Sequence, residues 1–238
     1  MLVEKRLIRS FGRIKSRKLS SHKNELLLNF YPTYHLDVTK LLDKSFLQRF
    51  SQIILEIGFG YGGFLFKMAK NNPQNLYIGC EPHLNGMINI LSKLENDPLQ
   101  NILLLNNDFR FLAKDLLKNS PNCEIFNQIF ILFPDPWPKL KHHKRRLINQ
   151  EFLDNILHPL LLKTAHNKIN DSPLVIATDH DDYKTWILSN ILKSNKFAWE
   201  AQTQNDWLEF PDYWHKTKYQ KKATLEGRES IIIKLCQI

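Results

Sequence analysis

The sequence predicts an α/β fold, a mostly parallel sheet with helices on both faces. Three observations carry this. Short apolar, β-branched runs alternate with stretches of helical spacing along most of the chain. The first run, Ile53–Ile57, passes straight into the glycine cluster Gly58-Phe-Gly-Tyr-Gly-Gly63, as a strand does where it turns into a crossover helix. Acids stand at or just beyond the ends of successive strands, at Glu56, Glu81, Asp108, Asp135 and Asp179, and parallel sheets bind ligands at their carboxyl ends.

Taken in order, residues 1–35 read as a basic N-terminal arm. Its first 23 residues hold eight cations against one acid, Glu4, with Gly12 and several serines to weaken a helix. Leu26, Leu27, Leu28, Phe30 and Tyr31 are expected to dock the arm on a single domain spanning 36–238. Asp37 to Phe50 has helical spacing (Leu41, Leu42, Phe46, Phe50), and Ile53–Ile57 is a buried strand. The helix after the glycines shows Phe64, Leu65, Met68 and Ala69 on one face and ends near Asn71-Asn-Pro73. Leu76–Cys80 is a strand, Leu84–Leu94 a helix, Asn101–Leu105 a strand and Phe109–Leu117 a helix. Glu124–Phe133 is the fourth strand, Ile148–Lys163 a helix, Leu174–Thr178 a strand, Asp182–Lys193 a helix, and Ser230–Leu235 a closing strand.

A net charge of +9 and a pI near 9.4 suit a protein that meets a polyanion, nucleic acid being the commonest. Cys80, Cys123 and Cys236 have no metal-like spacing and read as free thiols of a reducing cytoplasm. The N-terminus lacks the apolar core of a secretory signal, and no run reaches the roughly 20 apolar residues of a membrane helix. No membrane contact, metal or obligatory protein partner is expected.

The densest signal is Phe133-Pro-Asp-Pro-Trp-Pro-Lys-Leu-Lys-His-His-Lys-Arg-Arg146. Three prolines in five residues stop the strand hard and fix Asp135 and Trp137 in a rigid turn. Five cations and two histidines follow within eight residues. A carboxylate and an indole beside a positive patch suit an aromatic ring that carries phosphates; a proline turn before a solvated basic helix start would leave the same trace. His142 and His143 have no third ligand nearby, so they read as surface groups or groups facing a nucleic acid. The segment Ala201–Lys222 mixes Trp207, Phe210, Tyr213, Trp214 and Tyr219 with lysines. It suits a flap over nucleic acid, with Trp207 and Trp214 packed and Lys218 turned outward.

The glycines alone are ambiguous. Gly58, Gly60 and Gly63 satisfy G-x-G-x-x-G, so a nicotinamide dehydrogenase is one reading. Glu56 at the strand end would repel a pyrophosphate, and no second dinucleotide half follows. S-adenosylmethionine carries no phosphate and has an ammonium that an acid can help hold. Glu81 would accept from its ribose hydroxyls and Asp108 from the adenine amine.

Glu56-Ile-Gly-Phe-Gly-Tyr-Gly62, Gly79-Cys-Glu81, Asn107-Asp108, the proline–tryptophan–basic stretch, Ala177-Thr-Asp179 and Thr217-Lys-Tyr-Gln220 together resemble the bacterial tRNA (guanine-N7-)-methyltransferases over about residues 50 to 235. The resemblance implies a Rossmann-like class I methyltransferase fold with a mostly parallel seven-stranded sheet. It implies methyl transfer from S-adenosylmethionine to N7 of the guanine at position 46 in the variable loop of tRNA. It places Glu56, Gly58, Gly60, Glu81, Asp108 and Asp135 at the cofactor and Asp135 at the transfer site. Lys139, Asp179, Thr217, Lys218, Tyr219 and Gln220 would contact the substrate, and Lys141, His142, His143, Lys144, Arg145 and Arg146 the RNA. Gln220 departs from the family's usual Glu. Guanine N7 carries no proton, so no general base is needed; positioning and electrostatics would supply the rate. A methyltransferase acting on an exocyclic amine remains an alternative, since Asp135-Pro-Trp137 distantly echoes the acid–proline–aromatic turns of such enzymes. A non-catalytic RNA-binding protein is another.

Overall fold

The computed structural model describes residues 19–120, 123–163 and 172–238. The expected basic arm lies mostly outside them. What is described of it, from Leu19 on, is largely helical as far as Tyr34, and it buries Leu26 and Tyr34 in the core of the domain.

Seven strands form one sheet: β1 (Ile53–Ile57), β2 (Leu76–Cys80), β3 (Ile102–Leu105), β4 (Gln128–Leu132), β5 (Leu174–Thr178), β6 (Phe197–Trp199) and β7 (Ile231–Gln237). Their order is β3-β2-β1-β4-β5-β7-β6, with β7 antiparallel to both neighbours and the rest parallel. The chain reverses direction across the sheet between β1 and β4, the switch point where such sheets open a crevice.

Side chains alternate between the two faces of each strand. Ile53, Leu55 and Ile57 of β1 join one core with Ile129, Ile131 and Ile176. Ile54 joins the other with Tyr77, Phe130 and Val175. Glu56 therefore points to the second face, among apolar neighbours. That face is covered by α1 (Gly63–Asn71) and α2 (Leu84–Asn96), and the first by α3 (Phe109–Asn119) and α4 (Asp181–Ile191).

Several boundaries differ from expectation. The helix over 37–50 is two short turns, Val38–Leu42 and Lys44–Leu47, because the Asp43 side chain caps a new start by accepting from the N–H groups of Ser45 and Phe46. The helix after Ile148 changes hydrogen-bonding pattern at Leu153 and ends at Leu160, where Pro159 lacks an N–H. β4 starts at Gln128 rather than Glu124, since Phe126 bridges to Leu161 instead of a neighbouring strand. The short strand β6 and the helices Asn205–Leu208 and α5 (Lys218–Leu225) fall where no regular element was read.

Candidate active site

The carboxyl ends of β1 to β4 surround a cavity of about 420 Å³. Its floor is the glycine turn. Gly60 has φ +54°, donates its N–H to Glu81 Oε2 at 2.8 Å, and would bring a Cβ within 3.1 Å of the Tyr219 ring. Gly86, in the first turn of α2, comes closer still: a Cβ there would lie 2.4 Å from the Gly60 carbonyl oxygen. The sequence offered no signal for Gly86 beyond a glycine inside a helix.

Glu81 is the best-anchored acid. Its other oxygen accepts the His83 N–H at 2.7 Å, and Asn106 Nδ2 donates to its carbonyl at 2.8 Å. Burial raises its pKa while the two N–H groups oppose the rise. Asn106 also links outward, because its N–H reaches the hydroxyl of Tyr31 in the N-terminal helical segment, at 3.1 Å. Glu56 sits behind the wall, buried, with Oε2 unpaired; desolvation, then the charge of Glu81, pushes its pKa up to about 8.

Asp108 lines the cavity and caps α3. It is gripped by Arg110, whose Nε and Nη2 approach its two oxygens at 2.9 and 2.6 Å. Any adenine amine would share this carboxylate with Arg110, a partner that sequence reasoning missed.

The proline turn closes the far side. Phe133 and Trp137 both take positive φ, +52° and +45°, a strained geometry for such residues. Asp135 between them remains open to solvent at the cavity, yet the surrounding protein desolvates it enough to raise its pKa. Trp137 is a wall residue, with Arg145 over its ring at 4.9 Å and His142 edge-on at 5.8 Å.

Not all of the basic run faces outward. Lys139, Lys141 and Lys144 are exposed. Arg146 is 3% exposed: it donates to the Pro136 carbonyl at 2.8 Å, pairs with Asp182, and lies against Tyr183 and Trp186. It holds the turn from beneath, with its guanidinium turned inward and away from the exposed lysines. His143 is drawn inward beside it, 3.6 Å from Asp182 and edge-on to Trp186.

The late motif also divides. Tyr219 lines the cavity and Lys218 is exposed over the Tyr61 ring. Thr217 caps α5 by accepting the Gln220 N–H at 3.0 Å. Gln220 is 5% exposed and accepts the Trp214 indole N–H at 2.8 Å, so its side chain is turned into the core and is not part of the cavity lining. Trp214 and Trp207 are packed, as expected. Asp179 ends β5 paired with Arg228 at 2.9 Å, outside the cavity lining.

This sheet order, glycine turn and row of strand-end acids define a class I methyltransferase. Residues 51–232 match the family model described as a putative methyltransferase. Relatives named tRNA (guanine-N(7)-)-methyltransferase include one from Rhodopseudomonas palustris strain BisB18, 35% identical over 92% of this chain and 84% of that protein. Another, from Wolbachia pipientis wMel, is 36% identical over 85% of this chain and 87% of its own. The chain belongs to the tRNA (guanine-N7-)-methyltransferase family. A solved antibiotic-related methyltransferase shares the fold at a TM-score of 0.51 and 20% identity, over 94% of this chain and 98% of that one. Membership removes the dehydrogenase reading. Among the described residues, no helix is long and apolar enough to cross a membrane.

Proposed function

We propose that this chain transfers a methyl group from S-adenosylmethionine to N7 of a guanine in tRNA, the variable-loop guanine at position 46 by the family resemblance. The observation that carries the reading is the meeting, in one cavity, of the Gly60–Glu81 pair with the Asp135–Trp137 turn, in a chain whose relatives bear that name.

The residues present fit the cofactor. The cavity wall carries Glu81 and Asp135, with Asp108 paired to Arg110 and Arg145 lying over Trp137, so the acids by the glycine turn and the proline turn can meet a cation. The unpaired, buried oxygen of Glu56 suits an ammonium nearby. Gly58 has open space where a side chain would stand, the Gly60 N–H orients Glu81 to hold the ribose, and Asp108 would hold the adenine. When bound, S-adenosylmethionine supplies a methyl carbon on a positively charged sulfur.

The chain's own groups then position and stabilise. No residue has to remove a proton from N7. Asp135, fixed by Pro134 and Pro136, favours the positive charge that develops on the purine. Tyr219 lines the cavity and Lys218 lies over the neighbouring Tyr61 ring, so these two are nearest the entering base, while Lys139 and Asp179 are assigned to the substrate by the family resemblance alone. Lys141, His142, Lys144 and Arg145, with the N-terminal arm, follow the RNA backbone. Residues 36–238 carry the catalysis, in a cytoplasmic setting where tRNA is at hand.

The test is label transfer from S-adenosylmethionine to tRNA lacking N7-methylguanine, followed by nucleoside analysis and mapping. N7-methylguanine in the variable loop is expected. N2-methylguanine or N6-methyladenine would replace the reading with an amine methyltransferase, and tRNA binding without incorporation would leave a binding protein.

A further inference from the structure

The glycine turn bears an exposed tyrosine that the cofactor reading does not use. Tyr61 lines the cavity and is 40% exposed. Lys218 Nζ lies 3.8 Å from the centroid of its ring, well inside cation–π range. The next residue along, Tyr219, is 47% exposed and lines the same cavity. Its ring edge rests against Gly60, and its centroid is 6.5 Å from that of Tyr61, with the planes 55° apart. Two successive residues at the start of α5 thus grip two successive residues of the turn.

Beneath, helix α5 is tied to the core by Gln220, which accepts from Trp214; the contacts of Lys218 and Tyr219 set how its start meets the glycine turn. Its buried residues are Gln220 and Ala223, and Thr217 caps its backbone. The Tyr219 hydroxyl lies in the field of both Glu81 and Asp135, whose charges add to the effect of burial in raising its pKa. Its ring lines the same cavity as Glu81 and Asp135. A purine entering toward Asp135 would meet this face, and single bases are bound by stacking on such rings. A purine that gains positive charge is held better by an electron-rich face.

We propose that Tyr61 is a positioning residue: by capturing Lys218 it docks α5 on the glycine turn and sets Tyr219 as the ring on which the target base stacks. This rests on the RNA methyltransferase reading. Lys218 then works from the Tyr61 ring and not as a phosphate contact.

The experiment uses the full chain with Tyr61→Phe, Tyr61→Leu, Lys218→Met, the Tyr61→Leu/Lys218→Met double variant and Tyr219→Leu. For each, kcat and KM with a tRNA transcript, cofactor Kd by calorimetry and the salt dependence of tRNA binding are measured. Tyr61→Phe keeps the ring and is expected to match wild type. Tyr61→Leu and Lys218→Met are each expected to lower kcat/KM for tRNA about fivefold, with cofactor Kd within twofold, and the double variant is expected to lose no more than either. Tyr219→Leu is expected to lose about ten- to a hundredfold. Additive losses in the double variant would overturn the proposal. So would a tRNA salt slope reduced by about one in Lys218→Met, which marks a phosphate contact, or a cofactor Kd that rises in step with the loss in Tyr61→Leu. Lys218→Met, on the surface, carries the test if Tyr61→Leu does not fold. Absence of transfer by wild type sinks the function reading and this inference with it; normal wild-type transfer with additive variants sinks this inference alone.

Discussion

Trp214 donates its indole N–H to the side-chain carbonyl of Gln220 at 2.8 Å, in the interior beneath the helix that carries Tyr219. The pairing ties α5 to the core through Phe64 and Phe210, whose rings lie 5.0 and 4.7 Å from that of Trp214. Gln220→Ala would leave the indole N–H buried without a partner, at a cost of about 1–3 kcal/mol. A fall in melting temperature of roughly 2–10 °C is expected. Thermal unfolding followed by circular dichroism checks it, and an unshifted melt would mean that the pair is not formed.

Arg146 and its exposed neighbours should separate cleanly. Arg146→Ala removes a guanidinium from between two rings and a donor from the Pro136 carbonyl. Its partner Asp182 is half exposed and can return to water, so the loss is about 2–3 kcal/mol, mostly packing and the backbone hydrogen bond. The salt dependence of tRNA binding should hold. Lys141→Ala with Lys144→Ala should do the reverse, lowering the salt slope by about two while leaving the melt in place. An altered slope in Arg146→Ala would return that residue to the RNA surface.

The contrast between these residues shows what a sequence can and cannot say. Strand periodicity located β1, β2, β3 and β5 to within a residue, because each is buried on both faces and reads as a continuous apolar run. β6 is three residues at the sheet edge, Phe197–Trp199, too short to leave a pattern. Of the strand-end acids, topology alone brings Glu81, Asp108 and Asp135 to one cavity, while Glu56 lies behind its wall and Asp179 pairs with Arg228 outside it. Direction within a charged run was not legible: Lys144 and Arg146 look alike in sequence, and only the aromatic slot made by Tyr183 and Trp186, some 40 residues on, tells them apart. The pairing of Gln220, which was read as a substrate contact, with Trp214 and that of Arg110 with Asp108 were illegible for the same reason, since both depend on helix starts and side-chain direction.

Asp135 should govern the chemistry more than the affinity. Asp135→Ala is expected to lower kcat by about a hundred- to a thousandfold and to change cofactor Kd only a few-fold. Equal losses would move Asp135 into the cofactor site. Its pKa is raised by desolvation, so the active carboxylate is lost as pH falls through a value above the ordinary Asp range. The acid limb of the kcat profile should lie there in wild type and vanish in the residual activity of Asp135→Asn.

Glu56 makes stability and ligand binding depend on pH. Its carboxyl is buried, has one unpaired oxygen, and its pKa is pushed from 4.5 up to about 8. The folded chain holds this proton where the unfolded chain has released it. The stabilising contribution is complete below about pH 4.5, falls as pH rises through neutrality, and is gone above about pH 8. The effect is on the order of a few kcal/mol. Glu56→Gln, neutral throughout, should flatten the decline in melting temperature between those limits. A cationic ligand group nearby would favour the charged carboxylate, so S-adenosylmethionine binding near pH 7 should expel a proton. Calorimetry in phosphate and in Tris, whose ionisation enthalpies differ, measures that release directly. Wild type should show buffer-dependent binding enthalpy and Glu56→Gln much less; equal dependence in the two would assign the proton to another group, and none in wild type would mean that Glu56 stays neutral with the cofactor bound.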